Sequence, residues 1–275
     1  MVYLERTPRA PLNRFVSLLW SARAPCGVYG HERVLPNGCI QLIISLARDF
    51  LLDCPESQPE VRRPPALIVG ARSVYEMVAQ SDMADLIGVV FQPGSFPAFA
   101  GEAAHLFSNR NIPLTDLWER ETRSLRERLL ALDSAEARFA CLERFLLERT
   151  QANAANPSSP RSAAIRFALT RIAQAPGTVT VREVARSIGW SERRFSQVFR
   201  EDVGLTPKLW CRIRRFQRAV RMLHAGADVP WAELALDCGF YDQSHFANEF
   251  RAFSGVDATA YSSRRTRWAN HIHAD

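Results

Sequence analysis

The sequence of 275 residues is nearly without lysine and has no long apolar run. Of its 35 basic side chains only Lys208 is a lysine, a bias that GC-rich coding produces and that by itself indicates no function. No stretch approaches the roughly eighteen uncharged apolar residues of a membrane-spanning helix. The segment from Met1 to Arg9 contains no apolar signal core. We therefore expect an unexported, cytoplasmic protein without a membrane partner.

Paired cysteines and catalytic motifs are also missing. The six cysteines are scattered without any C-x-x-C pair: Cys26, Cys39, Cys54, Cys141, Cys211 and Cys238. This spacing argues against a disulfide or zinc framework and favours reduced thiols. The sequence contains no phosphate loop, nucleophile elbow or dinucleotide fingerprint. We therefore predict that the protein is not an enzyme and uses no cofactor.

A metal centre is the enzymatic alternative that has to be weighed. A metal-dependent cupin places several histidines and a carboxylate around one ion. The N-terminal half offers only His31 next to Glu32 and a distant His105, without an H-x-H pair. We therefore predict no metal site, and we interpret His31 as a residue of a loop or a barrel rim. Cys39 follows a predicted turn and is interpreted as a small buried residue.

Positive charge is concentrated at one end of the chain. Residues Arg161 to Asp275 contain eighteen Lys and Arg against eleven Asp and Glu, a net charge of +7. The first 160 residues contain seventeen against eighteen, a net charge of −1. A module that binds phosphates needs such a basic excess, whereas an enzyme for small molecules does not.

One helical pattern occurs twice in this basic region, first over Glu183–Gly204 and again over Glu233–Gly255. Each copy has a short apolar helix, a Gly-aromatic turn, a polar capping residue and a second helix with two phenylalanines four apart. These features are Gly189-Trp190, Ser191, Phe195 and Phe199 in the first copy, and Gly239-Phe240, Asp242, Phe246 and Phe250 in the second. The order predicts two helix-turn-helix motifs that read adjacent major grooves of double-stranded DNA.

The spacing also predicts which side of each second helix is exposed. Thr180 and Glu183 form a capping box that begins the first copy. The second copy has one extra residue before Asp242, so the register of its second helix is preserved. Opposite the phenylalanines lies a polar stripe, formed by Arg193, Gln197 and Arg200 in the first copy and by Ser244, Asn248 and Arg251 in the second.

A long helix is predicted between the two copies. Thr206 caps it, Pro207 occupies its first turn, and the apolar pattern continues to about His224. Such a helix spans about 25 Å, long enough to place two reading helices roughly one DNA turn, about 34 Å, apart. Its arginines form either a solvated face or phosphate contacts, and the sequence leaves both open: Arg212, Arg214, Arg215, Arg218 and Arg221.

These residues resemble the AraC/XylS family of transcription regulators over about Ile165 to Tyr261. The resemblance rests on the tandem motifs, Phe199-Arg200, Phe250-Arg251, Gly204-Leu-Thr-Pro207 and the joining helix. It implies that the second helix of each motif enters the major groove. The implied base-reading positions are Arg193, Arg194, Ser196 and Gln197, then Gln243, Ser244, His245 and Asn248; Arg200 and Arg251 complete the predicted DNA-binding set. Ala258 stands where the family often has proline, and Asp237, Asp242 and Glu249 make the second motif more acidic than the first.

The N-terminal half predicts a small β-barrel. Short β-rich runs are separated by turn residues over about 29–91: 39–46, 66–69, 74–79 and 86–91. The segments Val34–Ile44 and Val89–Gly94 resemble a cupin-like regulatory domain that precedes this type of DNA-binding module. Two amphipathic helices are expected over 116–132 and 134–150, packed either on the barrel or against a second subunit.

The fold class predicted is therefore α+β, with a cupin-like barrel and helical hairpin followed by an all-α domain of two helix-turn-helix motifs joined by a long helix. We expect a sensing or dimerisation domain over 1–152, a polar linker over 153–163 and the DNA-binding domain over 164–275.

The function predicted is sequence-specific DNA-binding transcription regulation, modulated by a small-molecule effector bound in the N-terminal domain. Residues expected to converge on such an effector are Trp20, Glu32, Gln41 and Glu76. In one alternative the barrel serves only dimerisation or partner binding; in another it is a cupin-type enzyme fused to a DNA-binding domain. The expected partners are double-stranded DNA, the effector, RNA polymerase if the protein activates, and a second copy bound through residues 116–150.

Overall fold

The computed structural model describes residues 2–24, 30–54, 59–153, 159–174, 179–226 and 230–274. Cys26 and the central part of the predicted linker, residues 154–158, lie outside the described residues. The described residues form antiparallel sheets in the N-terminal half and helices in the C-terminal half, as predicted. No helix among them is both long and apolar enough to cross a bilayer.

Eleven strands are present in the described ranges. They are β1 Val2–Arg6, β2 Val16–Arg23, β3 His31–Val34, β4 Gln41–Ser45, β5 Leu51–Asp53, β6 Val61–Arg63, β7 Ala66–Val69, β8 Glu76–Ala79, β9 Leu86–Phe91, β10 Asn111–Pro113 and β11 His271–His273. The first sheet has the order β1-β2-β9-β4-β7-β10 and the second β11-β3-β8-β5-β6. In the described part of the chain these are two separate sheets rather than one closed barrel.

Alternation along the strands gives the first sheet two apolar faces. Leu19, Leu42 and Val89 lie on one face and belong to the large hydrophobic core. Ala22, Leu67 and Leu86 lie on the other face and contact Leu51 of the second sheet in a smaller cluster. The two sheets therefore pack against each other through this smaller cluster, and the first sheet is covered on both sides.

Ten α-helices are present in the described ranges. They are α1 Pro97–Ala100, α2 Glu119–Leu130, α3 Ala135–Ala152, α4 Pro160–Gln174, α5 Val181–Ser187, α6 Glu192–Val203, α7 Pro207–His224, α8 Trp231–Asp237, α9 Gln243–Ser254 and α10 Ala258–Arg264. Helices α2 and α3 form the expected hairpin, and Ser134 caps α3 by accepting a hydrogen bond from the amide of Ala137. Helix α4 begins inside the predicted linker, because Pro160 suits the first helical turn.

The apolar stripe of the α2–α3 hairpin is buried within the chain. Leu125, Leu129, Phe139, Leu142 and Leu146 are each at most 3% exposed and belong to the large core. Of the two expected ways of packing this hairpin, the structure shows the one within a single chain. The stripe is therefore not left open for a second subunit.

Candidate nucleic-acid interface

The first helix-turn-helix comprises α5 and α6. Thr180 accepts a hydrogen bond from the Glu183 amide, and the Glu183 carboxylate accepts one from the Thr180 amide, so the predicted capping box is formed. Gly189 adopts φ +72° in the turn, a left-handed conformation that costs glycine little. Ser191 then caps α6 by accepting a hydrogen bond from Arg194 N.

The second helix-turn-helix comprises α8 and α9 and is built with the same devices. Gly239 has φ +82°, and Asp242 caps α9 by accepting a 2.7 Å hydrogen bond from His245 N. The extra turn residue is accommodated before the cap, so the register of the two second helices agrees as predicted. Each helix ends at a left-handed glycine, Gly204 or Gly255.

The phenylalanine stripes lie inward and the predicted reading residues outward. Phe195, Phe199, Phe246 and Phe250 are at most 2% exposed. The exposed members of the predicted set are Arg193, Arg194, Gln197, Arg200, Gln243, Ser244, Asn248 and Arg251, whereas Ser196 and His245 are half-buried. Each second helix therefore buries its phenylalanines in the core and presents a polar face to solvent.

Several of these side chains already have neighbours within their own motif. The Arg194 guanidinium lies 4.8 Å from the centre of the Trp190 ring, a cation–π contact between turn and helix. Gln197 donates to the Glu201 carboxylate at 3.0 Å. His245 Nδ1 accepts a hydrogen bond from Tyr241 N, so its ring is oriented by the turn that precedes α9. These contacts position the side chains before any DNA is bound.

Helix α7 packs against both reading helices. Trp210 near its start contacts Phe199 of α6, with ring centres 6.0 Å apart, and Phe216 contacts Phe250 of α9 at 5.2 Å. Arg212 donates two hydrogen bonds to the Glu249 carboxylate at 2.6 and 2.7 Å. Burial would raise the pKa of Glu249, but the hydrogen bonds and charge of Arg212 lower it below its usual value. The helix therefore fixes the two motifs relative to each other.

A basic groove of about 590 Å³ lies between the start of α5 and the side of α9. Lys208, Arg212, Arg215 and His245 line it together with the capping residue Thr180. Of the α7 arginines, Arg212 forms an ion pair with Glu249. The Arg215 guanidinium lies 5.7 Å from the centre of the Phe240 ring. Cations around a concave surface beside α7 and α9 suit a DNA phosphate backbone.

The N-terminal half holds the C-terminal end of each reading helix. Ser108 donates a 2.5 Å hydrogen bond to the carbonyl oxygen of Gly204, directly after α6. Tyr75 N donates to the carbonyl oxygen of Phe253 in α9, and the Tyr75 ring lies so close to Gly255 that a Cβ there would come within 2.4 Å. The orientation of both reading helices is therefore coupled to the sheets.

The C-terminal strand β11 pairs with β3 of the second sheet, with His271 opposite Val34 and His273 opposite Glu32. The buried Glu32 carboxylate accepts from His271 Nδ1 at 2.8 Å and from Gln80 Nε2 at 3.0 Å. Burial alone would raise the pKa of Glu32, but the hydrogen bond and charge of His271 lower it below its usual value. No local sequence pattern indicates this pairing, because 239 positions separate Glu32 from His271.

The residues predicted to bind an effector have different neighbours and do not form one cluster. Trp20 lies over Gly88, where an added Cβ would come within 2.3 Å of the indole, and stacks near Tyr3 with ring centres 6.4 Å apart. Glu76 forms an ion pair with Arg72 at 2.5 Å, and both contact the side chain of Asn111. Gln41 is half-buried on β4, two strands from Asn111. Glu32 binds His271 and Gln80 instead.

A family profile described as a helix-turn-helix domain matches residues 184–264, and a domain of unknown function, DUF6597, matches residues 4–113. The arabinose operon regulatory protein of Escherichia coli K12 is 26% identical over 122 residues, which are 44% of this chain and 41% of the relative. Residues 184–264 are a helix-turn-helix domain of the AraC/XylS type. The predicted family is thereby confirmed, while the chain spans less than half of this curated relative.

Solved structures similar to this chain fall into two groups. The DNA-binding domain of AdpA in complex with a target DNA is 27% identical, with a TM-score of 0.34, and the match covers 38% of this chain and 92% of that one. The C-terminal domain of AraT from Geobacillus stearothermophilus is 23% identical, with a TM-score of 0.37 and 39% and 90% covered. ToxT from Vibrio cholerae matches over 89% of this chain and 97% of its own, at 9% identity and a TM-score of 0.46.

Proposed function

We propose that the protein is a sequence-specific, DNA-binding transcription regulator. The observation that carries this proposal is a pair of reading helices, each with a buried phenylalanine stripe and an exposed polar face, fixed to one another by α7. Arg193 has the fork geometry that suits guanine, while Gln197, Gln243 and Asn248 suit adenine. Lys208 and Arg215 in the basic groove are positioned to bind the phosphates between two successive major grooves.

The test is selection of random double-stranded DNA by the full-length protein at a salt concentration near physiological, followed by sequencing. We expect two enriched half-motifs roughly one helical turn apart, or 10–10.5 base pairs. A doubled arrangement would indicate a dimer on DNA. Arg193→Ala should relax one base position, and Arg123→Ala, an exposed arginine on α2, serves as the matched control. Enrichment of no sequence, with equal affinity for all duplexes, would contradict the proposal.

We further propose that the N-terminal half modulates DNA binding, consistent with the predicted sensing domain over 1–152. The support is a set of contacts between the two halves: Ser108 and Tyr75 contact the ends of the two reading helices, and β11 joins the second sheet. A ligand that binds one arrangement of these contacts better than another shifts the population of DNA-competent protein. An effector that displaced His271 from Glu32 would act directly on the strand that continues from the DNA-binding domain.

A cleft of about 820 Å³ between the two halves offers a second place for an effector. Gln92, Asn153, Arg166 and Arg214 are among its lining residues, so it suits a ligand with a negative or hydrogen-bonding group. Small acids and aromatic compounds should be screened for a rise in the unfolding temperature of the full-length protein. Trp20→Leu should abolish a response that depends on the sheets, and Arg166→Gln one that depends on the cleft. A protein whose DNA affinity no compound changes would favour a sheet domain that serves only as a partner surface.

A further inference from the structure

Three side chains with metal-binding atoms meet on one face of the second sheet: His31, Cys54 and Glu60. The His31 Nε2 atom lies 2.9 Å from Glu60 Oε1, and Cys54 Sγ lies 4.0 Å from the same oxygen. All three donor atoms lie within 4.8 Å of one another. We propose that these residues form a binding site for a divalent transition metal of the zinc class.

Strand register explains how residues distant in sequence converge. Strand β5 pairs with β6 so that Leu52 faces Arg62 and Asp53 faces Val61, and continuing this register places Glu60 opposite Cys54. His31 begins β3 opposite Ala79 of β8, the strand between β3 and β5. Because Ala79 is small, the imidazole has room to cross β8 toward the β5–β6 hairpin. All of these positions alternate with Leu51 and therefore lie on the face turned away from the smaller core cluster.

The donor set and its spacing suit zinc. Bond lengths of about 2.0–2.3 Å around a tetrahedral ion place neighbouring ligand atoms roughly 3.4–3.6 Å apart. The 2.9 Å and 4.0 Å separations lie on either side of this value, and all three atoms lie within 4.8 Å of one another, so side-chain movements of about 1 Å bring them onto one ion. A thiolate and an imidazole select zinc-like metals over magnesium or calcium, which prefer oxygen ligands. One thiolate, one carboxylate and a neutral imidazole also balance the charge of a divalent ion.

Exposure indicates an exchangeable site rather than a structural one. Cys54 is buried, whereas the side chains of His31 and Glu60 are 39% and 48% exposed. Structural zinc sites are closed by four protein ligands, while three ligands leave one position for water or an exogenous ligand. The solvent-facing side of this site provides both a path of entry and a fourth coordination position.

The site also lies next to the strand that joins the two halves of the chain. The backbone carbonyl oxygen of His31 accepts a 3.0 Å hydrogen bond from Ala274 N, directly after β11. A metal that fixes His31 would therefore stabilise the pairing of β3 with β11. This regulatory consequence rests on the proposed DNA-binding function, whereas the metal site itself does not.

The experiment is titration of the full-length, reduced and metal-free protein with Co²⁺, followed by optical absorption. We expect one equivalent to bind with a thiolate-to-cobalt charge-transfer band, and Zn²⁺ to displace it. Cys54→Ser should remove the band, while Cys39→Ser, a matched thiol in the same half, should retain it. Because the Glu60 side chain is about half exposed, Glu60→Gln should leave the fold intact. It should weaken affinity at least about tenfold, since loss of even an outer-shell partner costs that much.

The site is overturned if Co²⁺ gives no thiolate band, or if the band persists in Cys54→Ser protein that remains folded by circular dichroism. The coupling is tested separately with a duplex recovered by selection, measured with and without one equivalent of Zn²⁺. A change in DNA affinity that Glu60→Gln abolishes supports the coupling, and an unchanged affinity overturns it. If no duplex is recovered, the DNA-binding proposal fails while the cobalt result still stands.

Discussion

The two helix-turn-helix motifs have the same backbone plan but differ in the charge of their exposed surfaces. At positions related by 51 residues, Arg193 of the first motif corresponds to Ser244 of the second, and Gln197 corresponds to Asn248. Helix α6 exposes Arg193, Arg194 and Arg200. Helix α9 has one arginine, Arg251, and carries negative charge at Glu249 and at its cap, Asp242. The first motif therefore has the greater attraction for phosphates and guanine, and the second relies on short neutral side chains for base contacts.

The motifs also differ in how their reading helices are anchored. Helix α6 is tied to α4, since Arg161 donates hydrogen bonds to Asp202 and Glu201. Helix α9 is tied to α7 through Arg212 and Glu249. The half-buried Glu249 lies one position beyond Asn248 and is held away from solvent by its partner. Its ion pair thus removes part of the negative charge that would otherwise oppose DNA at the second motif.

The largest effect is expected from proline within the reading helices. Ser196 and Ala247 occupy the same register in the two motifs, and proline at either removes a helical hydrogen bond at a cost of about 3 kcal/mol or more. Ser196→Pro should abolish specific binding, and Ala247→Pro should leave residual affinity for the first half-motif. Electrophoretic mobility shifts on the selected duplex, with circular dichroism as the folding control, measure both. Equal residual binding by the two variants would remove the distinction between the motifs.

Alanine substitutions at matched positions should produce the next largest difference. Arg193→Ala is expected to cost about 1–3 kcal/mol on the selected site, because a bidentate contact with guanine is lost. Ser244→Ala should cost less, since one hydroxyl makes a single weaker contact. Affinity should be measured on variants of the DNA site and at several salt concentrations. The site variants report contacts with bases, and the salt dependence reports contacts with phosphates. A uniform loss across all sequences, with a reduced salt slope, would assign Arg193 to phosphate alone.

The outcome for the DNA-binding region shows what local sequence signals can predict. Thr180, Ser191, Thr206 and Asp242 cap helices where the pattern required, because capping and turn formation depend on residues within three or four positions. The exposed stripes followed from helical period in the same way. Boundaries of β7 and β9 agreed with prediction for a related reason: each is a short, continuous β-rich run bounded by turn residues.

Long-range pairing accounts for what the sequence did not predict. Strand β11 lies beyond the second motif, and His271-Ile-His273 is too short and polar to read as a strand without β3 beside it. Ser108 and Tyr75 contact the reading helices through loops whose sequences carry no signal for a partner. The cluster of His31, Cys54 and Glu60 was likewise missed, because it depends on strand order rather than on spacing along the chain.

Smaller effects are expected at the caps. Ser191→Ala and Asp242→Ala each remove a hydrogen bond to the first turn of a reading helix, and each should lower the free energy of unfolding by about 1 kcal/mol. Asp242 also places a negative charge at a helix N-terminus, worth about 0.3–1 kcal/mol more. Urea unfolding of Asp242→Asn, which keeps the cap without the charge, isolates that contribution. Although Asp242→Asn should be less stable than the natural chain, it should bind DNA more tightly, because it removes a charge that repels phosphate.

The smallest effect should be the pH dependence contributed by Glu249. Its pKa is lower in the folded protein than the ordinary value of 4.5, chiefly because the hydrogen bonds of Arg212 overcome the cost of burial. A carboxyl group with a lowered pKa stabilises the fold above its unfolded pKa and loses that contribution as pH falls through the folded value. Glu249→Gln should therefore be less stable than the natural chain near neutral pH, and the difference should shrink below about pH 4.5. Urea unfolding across this range, with the exposed Glu233→Gln as control, measures it. A constant difference at every pH would mean that Glu249 anchors α9 through its shape and neutral hydrogen bonds, so that charge plays no part in how the second motif is held.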